Sequence, residues 1–301
     1  MYYTKQFEQA NDSSSKWKII NDILKRGKVS QSAVFRQHGV PVHNPHDIAN
    51  CFNTYFSNIG AEQAMKIKGC NTNFYDSLPD SSVNSIFFNP TDAVEVTRIV
   101  ASLNNSHSTG HDEINTYLLK KIIGGIIIPL VYIFNLSLSS GIFPSIMKIS
   151  KVIPVYKKDD AILFSNYRPI SILSCFSKIL ERLVYDRLYT FLTDNNLIND
   201  AQYGFRKFHS TEFAIVKLYD RVSSALAKHE HVIGVFMDLS KAFDTLDHSI
   251  LLHKLYHYGI RGVSLNWFRS YLSCRKINIQ YLTMQNQLCL LLSVVCPRAL
   301  Y

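Results

Sequence analysis

Six consecutive residues without a charged or hydrogen-bonding side chain, 232–237, end at a carboxylate, Asp238. A continuous apolar run of this length, bounded by a polar turn, predicts a strand buried on both faces, because a half-exposed strand alternates apolar with polar residues. Such a strand must be covered from two sides. A chain of 301 residues, 47% hydrophobic and 18% charged, has the material to do so and no composition of disorder. A carboxylate at the end of a buried strand is rigidly placed and costly unless a cation or solvent meets it. Two readings of Asp238 are open from the pattern alone: it caps the next turn, or it is held there for chemistry.

The rest of the chain divides into mixed elements. Ile48, Phe52, Tyr55, Phe56 and Ile59 fall at helical spacing over residues 47–59, and a second helical pattern covers 91–103. Residues 71–89, rich in Asn, Ser, Asp and Pro, read as a linker. Residues 151–158 predict a short strand running into a basic turn. Residues 166–173 predict another, since the residue before Pro169 is biased to extended geometry. Amphipathic helices are expected over 174–192 and 211–227. A third, over 248–258, has Asp247 as its N-cap and Gly259 as its stop. Residues 122–138 are almost wholly apolar and barely long enough to span a bilayer. Gly124, Gly125 and Pro129 favour instead a buried helix beginning near Pro129 and ended by Gly141 and Pro144, with no membrane partner.

Charge narrows the partners. The formal net charge of +9 favours an anionic one. None of the six cysteines is paired as C-x-x-C, and residues 1–17 carry no apolar secretory run, so the thiols are expected to be reduced and the protein intracellular, cytoplasmic or nuclear. His43, His46 and Cys51 lie close in sequence but lack a fourth metal ligand, which favours a polar loop around Pro41 and Pro45. Lys157, Lys158 and Arg168 put fixed positive charge on two adjacent extended segments, suited to a triphosphate or a nucleic-acid backbone, or forming an ordinary solvated turn. The segment QYGFR at 202–206 interleaves aromatic and cationic groups, either for stacking and phosphate contact or as a glycine turn with core aromatics.

The order of these segments resembles the reverse transcriptases of non-LTR retrotransposons, of the jockey-like and LINE-like kind. The resemblance rests on STGHDEI at 108–114, NLS at 135–137, GIFP at 141–144 with Lys148, VIPVYKK at 152–158 and NYRPIS at 166–171. It continues through QYGFR with Ser210 and Thr211, the stretch 238–248, YGI at 258–260, Trp267, SYL at 270–272 and Arg275. It implies an α+β right-hand polymerase: a mainly helical N-terminal region over 1–90, a helical leading segment over 91–147, and fingers with a partial palm over 148–301. It implies nucleotidyl transfer to a DNA primer on an RNA template, with dNTP substrates and two Mg²⁺ ions. By the same resemblance Asp238 and the carbonyl of Leu239 are the metal ligands, Asp238 being catalytic. Lys157 and Arg168 contact the incoming triphosphate, Phe243 excludes a ribose 2′-hydroxyl, and Gln202 and Arg206 face nucleic acid, while Asp244 and Asp247 are structural.

The family pattern also requires a Pro-Gln-Gly loop and a Tyr-x-Asp-Asp hairpin with two further carboxylates, and the 301 residues contain neither. Asp159 and Asp160 lie upstream of Asp238 with the wrong spacing. Residues 294–301, back-translated with chosen synonymous codons and shifted by two bases, can read Gly-Val-Pro-Gln-Gly-Ser-Leu, so about 290–301 are expected to be out of frame. The expectation is a truncated polymerase homologue, inactive in this form. The alternatives are a non-catalytic RNA-binding fragment and a non-functional transposon remnant.

Overall fold

The computed structural model describes residues 6, 15–16, 19–20, 35–37, 40–65, 78, 81–239, 242–243, 245–279 and 292–296. Two short strands, β1 (Phe35–Gln37) and β2 (Val40–Val42), pair antiparallel. Helix α1 (Pro45–Ala64) follows, with Pro45 at its first turn and the Asn44 side chain accepting from the His46 amide at 3.0 Å. Helices α2 (Ala93–Ser102) and α3 (Thr116–Ser140) are capped by Asp92 and Asn115, whose side chains accept from Glu95 and Leu118 amides.

The hairpin β3 (Ile149–Tyr156) and β4 (Tyr167–Leu173) leads through the Ser174 cap into α4 (Cys175–Asp194). Helices α5 (Thr211–Ala227), α6 (His248–His257) and α7 (Gly262–Leu272) precede β5 (Arg275–Ile279), and β6 is Leu292–Cys296. The sheet order is β4-β3-β5-β6, with β3 parallel to β5 and the other pairs antiparallel. The architecture is α+β.

Two cores hold it. In one, Val96, Ile99 and Val100 of α2, Leu119, Leu130, Phe134 and Leu138 of α3, and Ile179, Leu180 and Leu183 of α4 surround Trp267. In the other, Ile48, Phe52 and Phe56 of α1 pack with Phe35 onto Val152, Phe164, Tyr167 and Ile279. The rings of Phe35 and Phe164 stack at 5.0 Å and Tyr167 meets Phe52 edge-on at 5.1 Å, so α1 shares its core with the sheet. An ion pair ties α2 to α4. Arg187 donates to both Glu95 carboxylate oxygens, at 3.0 and 2.9 Å. Burial opposes ionisation of Glu95, but hydrogen bonds from Arg187 and Thr91 hold its carboxyl below the usual range.

Two expectations are corrected. The helix expected to start near Pro129 starts thirteen residues earlier, at Thr116, and carries Pro129 inside it. Proline removes one helical hydrogen bond and its ring crowds the carbonyl four residues back. That carbonyl belongs to Gly125, where the backbone yields most easily, and a β-carbon at Gly124 or Gly125 would meet nothing within 4 Å. Nor is the helix wholly buried. Its inner face enters the core while Ile128 is 80% and Tyr132 68% exposed. By length and composition it could cross a membrane.

The second correction concerns residues 232–237. They form no strand and all are exposed, Phe236 at 87% and Met237 at 90%. A strand exists only through a partner's hydrogen bonds, and among the described residues none lies against this run. Helix α5 is formed as expected but, likewise, buries no residue.

Candidate functional site

The β3–β4 register explains which cations meet. Lys151 lies opposite Ile172, Ile153 opposite Ile170 and Val155 opposite Arg168. Alternation therefore puts Val152 and Tyr167 into the core and leaves Lys151, Ile153, Val155, Arg168, Ile170 and Ile172 on the open face. The ladder continues one step past β3, where the Lys157 amide donates to the Asn166 carbonyl at 2.8 Å. Lys157 thus falls on the same open face as Arg168, its diagonal cross-strand neighbour, at a backbone separation of about 7–8 Å. Both side chains are exposed, and neither forms an ion pair among the described residues. The turn between the strands is set by Asp160, whose side chain accepts from the Ile162 amide at 3.0 Å, with Asp159 in the left-handed region.

The segment 202–206 is a tight turn. Gln202 donates to the Gly204 carbonyl at 3.2 Å. Arg206 donates to the Asn199 carbonyl at 3.3 Å and pairs with Asp200 at 3.7 Å, so both named polar side chains are engaged in shaping their own turn. The aromatic residues beside them are presented outward. Phe205 and Phe208 are 83% and 96% exposed, and both have positive φ, 59° and 60°. The left-handed region costs a bulky residue on the order of 1–3 kcal/mol. The Phe205 ring meets Phe243 edge-on at 6.1 Å, so the structure joins this turn to the segment after Asp238.

Asp238 and Leu239 stand at the end of the exposed run, and Asp238 makes no hydrogen bond or ion pair with a described residue. No group of three or more His, Cys, Asp or Glu side chains gathers among the described residues. A two-metal centre needs several converging carboxylates, and the described residues do not fit one. Asp244 lies outside the described residues. Asp247 caps α6, accepting from the Ser249 and Ile250 amides, and its carboxyl is held low, first by the Ser249 hydroxyl. His46 is hydrogen-bonded to Asn50 at 3.1 Å and Cys51 packs into the second core.

Several motif residues prove to be framework. Asn135 brackets Thr91 with two hydrogen bonds, at 2.7 and 2.9 Å. Trp267 donates to Ser137 and stacks on Tyr271 with Phe143 edge-on. The Ser270 hydroxyl accepts from the Phe143 amide and from Lys148, whose ammonium burial pulls down. Asp112 receives the Ser174 hydroxyl, and a β-carbon at Gly110 would sit 2.8 Å from the Ser174 nitrogen. That contact, between a loop and the start of a helix 62 residues later, leaves no local signature.

Residues 155–290 match the family model described as reverse transcriptase (RNA-dependent DNA polymerase). A probable RNA-directed DNA polymerase from transposon BS of Drosophila melanogaster is 29% identical over 280 residues, covering 88% of this chain and 29% of that protein. The RNA-directed DNA polymerase from mobile element jockey of the same species is 30% identical over 182 residues, 60% of this chain and 19% of the relative. The jockey polymerase of Drosophila funebris is 31% identical over 166 residues, 55% of this chain and 18% of the relative. The chain thus spans less than a third of the length of these relatives. The family match, the relatives and the ordered segments point one way: over these stretches the chain is similar to the RNA-directed DNA polymerases of jockey-like mobile elements.

Proposed function

We propose that residues 148–301 are the fingers and the front of the palm of such a polymerase, and that they bind its substrates without by themselves joining nucleotides. The observation that carries this reading is the contrast on the open surface. Lys157 and Arg168 are two neighbouring cations with no counter-ion among the described residues, while Asp238 belongs to no group of three or more His, Cys, Asp or Glu side chains among them. The cations suit the triphosphate of an incoming dNTP, as charge-assisted donors to phosphate oxygens. Phe243 is then the ribose gate. Gln202, Arg206 and the exposed Phe205 face the RNA template and DNA primer, where base stacking on an aromatic ring contributes about 1–3 kcal/mol per base. Asp238, with the Leu239 carbonyl, contributes one ligand set of a Mg²⁺ centre, and the remaining ligands belong to parts of the relatives that these residues do not span. The same parts supply the sheet partner for 232–237. An RNA template and dNTPs place the work inside the cell, in cytoplasm or nucleus.

The test is primer extension on an RNA template with Mg²⁺ and dNTPs, beside anisotropy with a labelled RNA–DNA duplex. We expect salt-dependent binding and no extended product. Lys157→Ala with Arg168→Ala should weaken binding of a dNTP or duplex by roughly tenfold or more, on the scale of about 1.5–3 kcal/mol per lost charged hydrogen bond. Product that disappears in Asp238→Asn would overturn the inactivity, and binding indifferent to both cations would overturn the assignment of the hairpin.

A further inference from the structure

The outer face of α3 is built like the inside of an interface. Its exposed positions run the length of the helix: Tyr117, Leu118, Lys121, Ile122, Gly124, Gly125, Ile128, Pro129, Tyr132, Ile133 and Leu136. A surface helix ordinarily turns charged residues to water, yet Lys121 is the one charge in this stripe and the helix contains no acid. We propose that this face pairs with the same face of a second copy of the chain, antiparallel, about a twofold axis at Gly125.

Eight of the stripe's positions are self-complementary about that residue, whereas Gly124 falls opposite the half-buried Ile126 and Leu136 falls beyond the helix start. Reflected through position 125, Ile122 meets Ile128 of the second copy, Leu118 meets Tyr132, Tyr117 meets Ile133 and Lys121 meets Pro129. Every exposed position named in these pairs finds an exposed one. Large side chains flank a centre where Gly124 and Gly125 have open space, so the two backbones can approach closely there. A twofold contact of this type is isologous, with one patch serving both subunits. The overlap of residues 116–134 is about 28 Å long at 1.5 Å per residue. With Ile128 80%, Tyr132 68% and Leu118 43% exposed, the apolar area is on the order of the ~800 Å² a side of a stable interface. A bilayer is the weaker occupant. A helix lying in lipid headgroups carries cations along its polar face, whereas here the face opposite the stripe is packed in the core and both lysines, Lys120 and Lys121, sit near one end.

The experiment is sedimentation velocity over a concentration series on the whole chain. We expect a monomer–dimer equilibrium that Ile128→Asp weakens by roughly tenfold or more. Gly125→Leu should also disrupt it while leaving helix content unchanged or raised, since leucine is the better helix former and its β-carbon meets nothing within 4 Å in the monomer. Mild oxidation of Gly125→Cys should give an intermolecular disulfide absent from wild type treated in parallel, because a symmetric bridge requires α-carbons within about 7 Å. A monomer at every concentration, or a dimer unaffected by both variants, would overturn the pairing. So would flotation of the wild type, but not of Ile128→Asp, with phosphatidylcholine–phosphatidylserine vesicles.

Discussion

Replacing Glu181 by leucine should cost about 3–5 kcal/mol of folding stability, the penalty for leaving a buried partner charge uncompensated. The buried charge is Arg275, whose side chain is 0% exposed. Its guanidinium lies 4.5 Å from the Tyr271 ring centre and donates one hydrogen bond, to the Tyr271 carbonyl at 3.2 Å. Among the described residues its Nε and Nη2 have no hydrogen-bond partner, and Nη2 is 3.9 Å from the carboxylate of Glu181, the acid paired with it there. Burial pushes the Glu181 carboxyl up, against the pull of Arg275 and of hydrogen bonds from Ser177 and Tyr271. The pair fastens β5, which lies between β3 and β6, to α4, so its loss reaches both the sheet and the helical core. Against a typical total stability of about 5–15 kcal/mol the single variant stands near the edge of folding. The companion Glu181→Leu/Arg275→Met should recover most of the loss, since an apolar pair of similar volume carries no desolvation cost. Urea unfolding followed by far-ultraviolet circular dichroism reads both. A single variant within about 1 kcal/mol of wild type, or a double variant no better than the single, would show that the pair does not hold β5.

The elements that the sequence announces are those set by neighbours in the chain. Asp92, Ser174, Ser210 and Asp247 each cap the helix that follows, and each has its side-chain acceptor within three residues of the amide it satisfies. The β3–β4 hairpin is equally local, and its register then decides that Lys157 and Arg168 share an open face. What failed depends on distant or absent partners. The apolar run before Asp238 has the composition of a buried strand, but burial is a property of what covers it, and no described residue does. Pro129 reads as a helix start because its cost is local, while the packing of Leu119, Leu130 and Phe134 that outweighs this cost is tertiary. The candidate site was legible as residue types in order, through a family resemblance. The framework duties of Asn135, Ser270 and Asp112 were not, since each is defined by a partner 44 to 127 residues away. Glu181 escaped notice for the same reason, being one carboxylate on an amphipathic helix until Arg275 is placed beside it.

Gly259→Ala should destabilise the chain by about 3 kcal/mol or more, although the change adds a single methyl group. Gly259 sits at the corner between α6 and α7 with φ of 95°, outside the range that residues with a β-carbon adopt readily. Left-handed strain alone costs roughly 1–3 kcal/mol. Space adds to it, because the new β-carbon would stand 2.2 Å from the Asn84 carbonyl oxygen and 3.0 Å from the Phe191 ring. The first of these is backbone and can yield only by moving the strap 81–89. That strap is fixed by the Ile86 amide on the Gly259 carbonyl at 3.0 Å and by Arg261 on the Ser82 carbonyl at 2.6 Å, and it buries Ile86. Overpacking against such a contact costs about 1–3 kcal/mol more. For a chain of this size the combined loss should lower the melting temperature by roughly 6–12 °C. Gly262 supplies the internal control: its φ is also positive, at 55°, but a β-carbon there meets nothing within 4 Å. Gly262→Ala should therefore show the strain without the collision, and a smaller loss. Equal melting temperatures for the two variants would mean that the strap moves freely, and that the contact between residues 81–89 and the α6–α7 corner does not hold the fold together.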